Sequence, residues 1–198
     1  MTHAVPTPGC HRHGPTKRHY RVHSDDAGIS ATSHAWDYPR LLLTLGLGAW
    51  GWYLGTHPGS WSFGLDDVNL AIHETGHIIF SPFGEWMTVA GGTLFQVLVP
   101  LSFAAYFARR GDRYAATVPL WWAGQNLFGI ARYVSDARAQ ELPLVGGGEH
   151  DWTWMLYELD VLHRELEIGR AVHGAGIVVV MGATVLGLVF ARRVSASS

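Results

Sequence analysis

The sequence predicts an all-α fold, a polytopic helix bundle held in a membrane. Three uncharged runs carry the prediction: Met87 to Ala108, Tyr114 to Ala131 and Ala171 to Ala191, of 22, 18 and 21 residues. At about 1.5 Å per residue, each is long enough for a hydrocarbon core of about 30 Å. The runs are apolar on every side, and a chain of 198 residues cannot bury several such helices in protein alone. A net charge of −2 leaves no electrostatic footprint for a nucleic-acid partner, so the lipid bilayer is the partner expected.

Residues 1–40 differ in kind from the rest. They are rich in His, Pro, Ser, Thr and Arg, poor in apolar side chains, and predict a disordered tail. Its histidines (His3, His11, His13, His19, His23, His34) and the lone Cys10 read first as a solvated tail and second as a feeder of metal. A single cysteine leaves no internal disulfide. The basic stretch is long and the apolar run after Arg40 lacks a small-residue cleavage pattern, which is unlike a secretory signal.

A membrane domain follows over 41–193. Leu41 to Gly55 predicts a short span with Trp50, Trp52 and Tyr53 as its interfacial aromatic end. A shorter helix over Asp66 to Phe80 has Asp66 as N-cap, a staple between Leu65 and Leu70, and Ser81-Pro82 as its stop. With the three long runs this makes about five membrane helices. Arg109-Arg110-Gly111-Asp112-Arg113 predicts a tight basic turn. From Ser135 to Arg170 the chain is mostly acidic, and Trp152, Met155, Leu159, Leu162 and Leu166 predict an amphipathic interfacial helix over about 151–167. Gly146-Gly147-Gly148 gives that helix a hinge and lacks the Lys and Ser/Thr of a phosphate-binding loop.

Function is concentrated in His73-Glu74-Thr75-Gly76-His77. Residues four apart stack on one helix face, so His73 and His77 can aim two imidazoles at one zinc ion while Glu74 flanks it. A catalytic zinc keeps three protein ligands and a water whose pKa falls to about 7, and Glu74 is the carboxylate placed to take that water's proton. A buried Glu between two buried His is costly unless paired or bound to metal, which disfavours two unrelated histidines. The third ligand must reach from a helix end or a loop, which leaves Asp136, Glu149, His150 and Asp151. Asp136 is preferred because it directly follows a span.

Inside the spans, Pro100 cannot donate to the carbonyl of Gln96, which leaves a free acceptor beside that amide side chain, and Gln125 and Asn126 place two more amides near mid-span. Hydrogen bonding between helices is their commoner use, binding of an extended substrate the rarer one.

These segments together resemble a known family. His73-Glu74-Thr75-Gly76-His77, the glycine-bearing helix from Gly91-Gly92 through Gln96 to Pro100, and an aspartate ending a later span are similar to the membrane-embedded zinc metalloproteases of the site-2 protease type. The likeness covers about Asp66 to Gln140. It implies His73, His77 and Asp136 as zinc ligands, Glu74 as general base, and a membrane protein or peptide as substrate. The family's aspartate usually stands in an Asp-Gly sequence after Pro, whereas here it reads Val134-Ser135-Asp136-Ala137. Gly92 and Gln96 match only loosely the family's small-residue-plus-Asn pattern.

Two topologies compete. The basic tail, the Arg109 to Arg113 turn and Arg192-Arg193 all prefer the cytoplasm, which makes the motif helix re-entrant. The resemblance makes it a true crossing, and that arrangement is the one expected. The function expected is intramembrane zinc endopeptidase. A non-catalytic metal-binding scaffold is the alternative, and a transporter ranks last because no second cluster of ionisable residues lines the other spans.

Overall fold

A computed structural model describes residues 1–3, 33–60, 62, 64–144 and 150–195. The expected tail falls mostly on 4–32, and the glycine hinge and Glu149 on 145–149, all outside the described residues. Six α-helices make up the described part: α1 (Tyr38–Thr56), α2 (Leu65–Phe80), α3 (Glu85–Arg109), α4 (Arg113–Asp136), α5 (Asp151–Glu158) and α6 (Glu165–Phe190). A short antiparallel ladder joins β1 (Ser33–Trp36) to β2 (Arg192–Ser195), so order begins before residue 40.

The helix boundaries have local causes. Asp37 caps α1, accepting from the Arg40 amide, with Pro39 in the first turn where its missing N–H costs nothing. Gly111, at φ +82°, turns the chain between α3 and α4, and Asp112 caps α4 by accepting from Ala115 N at 2.9 Å. Asp66 is not the cap of α2. The cap is Gly64, and Asp66 sits in the first turn, where its Oδ2 accepts from Ser62 N at 2.8 Å. The expected amphipathic helix over 151–167 is broken, because Asp160 takes a left-handed φ of 55° and a 3-10 turn at Leu162–Arg164 leads into α6. Met155 and Leu156 are buried, Leu156 in a cluster with Ile130, Val134 and Ala137, so α5 closes one end of the bundle.

Contacts fix the direction of each helix. Asp37 N donates to Ala191 O at 2.9 Å, and Tyr114 OH donates to Arg40 O at 2.7 Å. The start of α1, the start of α4 and the end of α6 therefore share one end of the bundle, together with the α3–α4 turn. At the other end Gly169 lies against Ser135, and Arg132 Nη1 donates to Gly59 O at 3.3 Å. The helix α4 is central, packed on α6, α3, α2 and α1. Gln125 and Asn126, at its middle, are buried and hydrogen-bonded to α2 and α3.

Against this frame α2 does not traverse the bundle. It starts beside Gln125, where Asp66 Oδ1 accepts from Gln125 Nε2 at 2.9 Å, and it ends near the start of α3, with Gly76 packed on Gly91. Its 16 residues also carry Asp66, Asp67, Glu74 and two histidines. Five membrane helices are therefore not supported. Among the described residues, two helical stretches are long and apolar enough to cross a membrane, Glu85–Arg109 and Leu162–Phe190. The helix α4 devotes its middle to buried amides, and α2 is short and polar.

Candidate metal centre

The two motif histidines sit one turn apart on α2 with ring centroids 4.8 Å apart. Each ring is oriented through Nδ1. His77 Nδ1 donates to Thr88 O at 2.8 Å, across the α2–α3 contact. His73 Nδ1 lies 3.2 Å from Gln96 Oε1 on α3. Gln96 shows its oxygen there because its Nε2 donates to Asn126 Oδ1 at 2.8 Å, and Asn126 Nδ2 donates in turn to Trp122 O at 3.3 Å. With a proton on each Nδ1, both Nε2 atoms present lone pairs.

Those lone pairs converge on Asp151. Its Oδ2 lies 2.9 Å from His73 Nε2 and 3.2 Å from His77 Nε2. The 2.9 Å contact is a hydrogen bond wherever His73 Nε2 carries a proton; with both protons on Nδ1 the three atoms are all acceptors, and a cation between them turns their repulsion into coordination. Two neutral imidazoles and one carboxylate form a donor set suited to zinc. All three side chains are partly buried, with ligand atoms within 4.8 Å of one another.

Close packing makes the room. A Cβ at position 92 would stand 2.7 Å from His73 Cε1, His73 Nε2 and His77 Nε2, so only glycine fits beneath the rings. A cavity of about 450 Å³ opens over the group, bordered by Glu74, Thr93, Arg132, Tyr133, Pro143 and Leu144 as well as the ligands. The loop after α4 lines it through Pro143 and Leu144 and α5 through Asp151 and Trp152, so it lies in the α5 half of the bundle.

Of the residues expected at the site, His73, Glu74 and His77 border this cavity and Asp136 does not; the carboxylate beside the two histidines is that of Asp151. The Asp136 carboxylate instead accepts from Glu141 N at 3.0 Å and from Leu142 N at 2.9 Å, which folds the following loop back on the helix end. His150 is 3% exposed and caps α5, its Nδ1 accepting from Thr153 N at 3.3 Å. Its Nε2 is buried 3.8 Å from Asp136 Oδ2 and makes no hydrogen bond among the described residues, and the ring is not part of the His73, His77 and Asp151 group. Burial pushes the His150 imidazole below its usual value, against the opposing pull of the Asp136 and Asp151 carboxylates. The Thr153 hydroxyl also donates to Ala137 O, which pins α5 to the end of α4 and turns Asp151 toward the histidines.

Sequence reasoning named Asp151 among four candidates without preferring it, and it missed Thr88. Gln96 and Gly92 carried a signal, as the polar and small positions of an otherwise apolar helix. No family model, curated protein or solved structure matches this chain.

Proposed function

We propose that this protein is an integral membrane zinc peptidase, with His73, His77 and Asp151 as metal ligands and Glu74 as general base. The observation that supports the metal most directly is the convergence of two imidazole lone pairs and a carboxylate oxygen, within 3.2 Å, over a glycine. Bound zinc supplies a Lewis acid that acidifies water and polarises a carbonyl. Glu74 borders the same cavity one residue after a ligand, takes the proton of the attacking water and returns it to the leaving amine. Thr88 and Gln96 hold the imidazoles in the tautomer that leaves Nε2 free.

The membrane reading rests on helix direction. The two long apolar stretches, α3 and α6 with its leading turn, run the same way, so α4 between them returns across the same thickness. Packed along α6, α1 makes a fourth crossing, and α2 enters halfway from the α5 end. The re-entrant arrangement therefore replaces the motif helix as a true crossing.

The test is metal analysis together with cleavage of transmembrane peptides. Wild type carries about one zinc per chain. Glu74→Gln keeps the metal and loses about 10²- to 10⁴-fold in cleavage. Equal cleavage by both proteins removes Glu74 as base and leaves the non-catalytic scaffold. Equal absence of zinc from wild type and His77→Ala removes the metal centre.

A further inference from the structure

Charge divides between the two ends of the bundle. The end holding the β1–β2 ladder collects Arg40, Arg109, Arg110, Arg113 and Arg192, opposed only by Asp37 and Asp112 in the same segments. Arg40 lies over the Tyr114 ring at 4.8 Å and Arg192 over the Trp36 ring at 4.8 Å, an aromatic and arginine layer of the kind found at a headgroup region. The α5 end is acidic, with Asp136, Glu141, Asp151, Glu158, Asp160 and Glu167 among its carboxylates. It also holds Arg132, Arg138, Arg164 and Arg170, of which Arg138 pairs with Glu165 at 2.6 Å and Arg164 with Glu167 at 2.9 Å, as Arg40 at the opposite end pairs with Asp37 at 3.4 Å.

We infer that the arginine-rich end is a docking surface for the anionic headgroups of the cytoplasmic leaflet, and that the His73–His77–Asp151 cavity opens on the opposite face. The inference builds on the membrane reading above and extends it, since it states the compartment from which the site takes its substrate. Basic residues close to span ends are retained on the cytoplasmic side, and each near an anionic leaflet favours that side by about fivefold. Acidic groups have little effect on orientation, so the bias comes from the number of arginines at each end: Arg40, Arg109, Arg110, Arg113, Arg192 and Arg193 against Arg132, Arg138, Arg164 and Arg170. The cavity lining reaches Pro143 and Leu144, beyond the end of α4 opposite Arg113. A substrate therefore reaches it from the extracytoplasmic side or laterally from that leaflet.

The test uses single cysteines and a membrane-impermeant maleimide on intact cells. Tyr38→Cys in a Cys10→Ala background reports the arginine-rich end, because Tyr38 is 69% exposed at the start of α1. Ala139→Cys in a Cys10→Ala background reports the exposed loop beyond α4 at the cavity end. The expected result is labelling of Ala139→Cys in intact cells and of Tyr38→Cys only after lysis. The reverse pattern overturns the inference. Exchange of Arg109, Arg110 and Arg113 together for Gln is expected to give a mixed population, in which a fraction of each reporter changes side. An unmixed orientation in that variant shows that the arginines do not set it and also overturns the inference. Release of the chain from membranes by alkaline carbonate is a separate readout, and it removes the membrane reading itself.

Discussion

Gly92→Ala is the smallest change that distinguishes a metal centre from a pair of packed histidines. The added Cβ would stand 2.7 Å from three ring atoms, His73 Cε1, His73 Nε2 and His77 Nε2. Non-bonded carbon atoms pack best at about 3.5–4.0 Å, so the rings must retreat by about 0.8–1.3 Å, beyond the roughly 0.5 Å that a ligand constellation tolerates. Without metal the rings can yield, since their side chains are 19% and 22% exposed and border a cavity. With metal they are held at Nδ1 by Thr88 and Gln96 and at Nε2 by the ion. An overpacking cost of about 1–3 kcal/mol therefore falls on binding, which is about 5- to 150-fold in zinc affinity. Alanine is also a better helix former than glycine by about 1 kcal/mol, so the melting temperature of the metal-free variant should not fall. Competition with a chromogenic chelator in detergent measures the first quantity, and thermal unfolding with chelator present measures the second. Gly124→Ala is the control, because its Cβ would meet Val180 atoms at 2.9 Å on the far side of α4 and should lower stability without weakening zinc. Wild-type zinc affinity in Gly92→Ala would refute the reasoning, as would a loss that only parallels lost folded protein.

Three further outcomes follow from the same geometry. Asp151→Asn should release zinc from purified protein far more completely than Asp136→Asn, whose carboxylate holds the loop after α4; the opposite order, read by elemental analysis, returns the third ligand to Asp136. Gln96→Leu should weaken zinc by about 10- to 100-fold, because His73 loses the acceptor that sets its tautomer, and an unchanged chelator titration would show that Gln96 only packs. Asn69→Leu strands Trp122 Nε1 and Gln125 Oε1, which should cost about 1–3 kcal/mol in denaturant unfolding without changing the metal content of folded protein.

What could be read in the sequence was whatever depends on one helix at a time. The long runs, the stop at Ser81-Pro82, the turn at Gly111 and the pairing of His73 with His77 are local matters of period, capping and backbone freedom. The third ligand is not local. Asp136 and Asp151 have the same side chain, and both lie near the end of α4 in space. They are told apart only because the Asp136 carboxylate turns to two backbone amides of its own loop while Thr153 pins Asp151 over the histidines. Helix direction was similarly hidden. An apolar stretch is equally consistent with a crossing and with a half-entry, and the proposal of a half-entry for α2 rests on Asp66 and Asn69 meeting Gln125 at mid-length of α4. The break at Asp160 escaped because Leu162 and Leu166 continue the helical spacing across it, while the backbone does not.

The amides at the middle of α4 also bear on how such a chain is made. A helix with Gln125 and Asn126 at its centre partitions poorly into lipid by itself, so it leaves the translocation channel only against surfaces that already satisfy those groups. Their partners, Asn69 on α2 and Gln96 on α3, lie earlier in the chain and are synthesised first. On the membrane reading proposed above, insertion is ordered along the chain: the α2–α3 hairpin must be in place to receive α4, and α4 in turn presents the groove for α6. A rearranged chain in which α4 emerged before the hairpin would wait at the channel with its amides unpaired, exposed to the proteases that clear stalled membrane proteins.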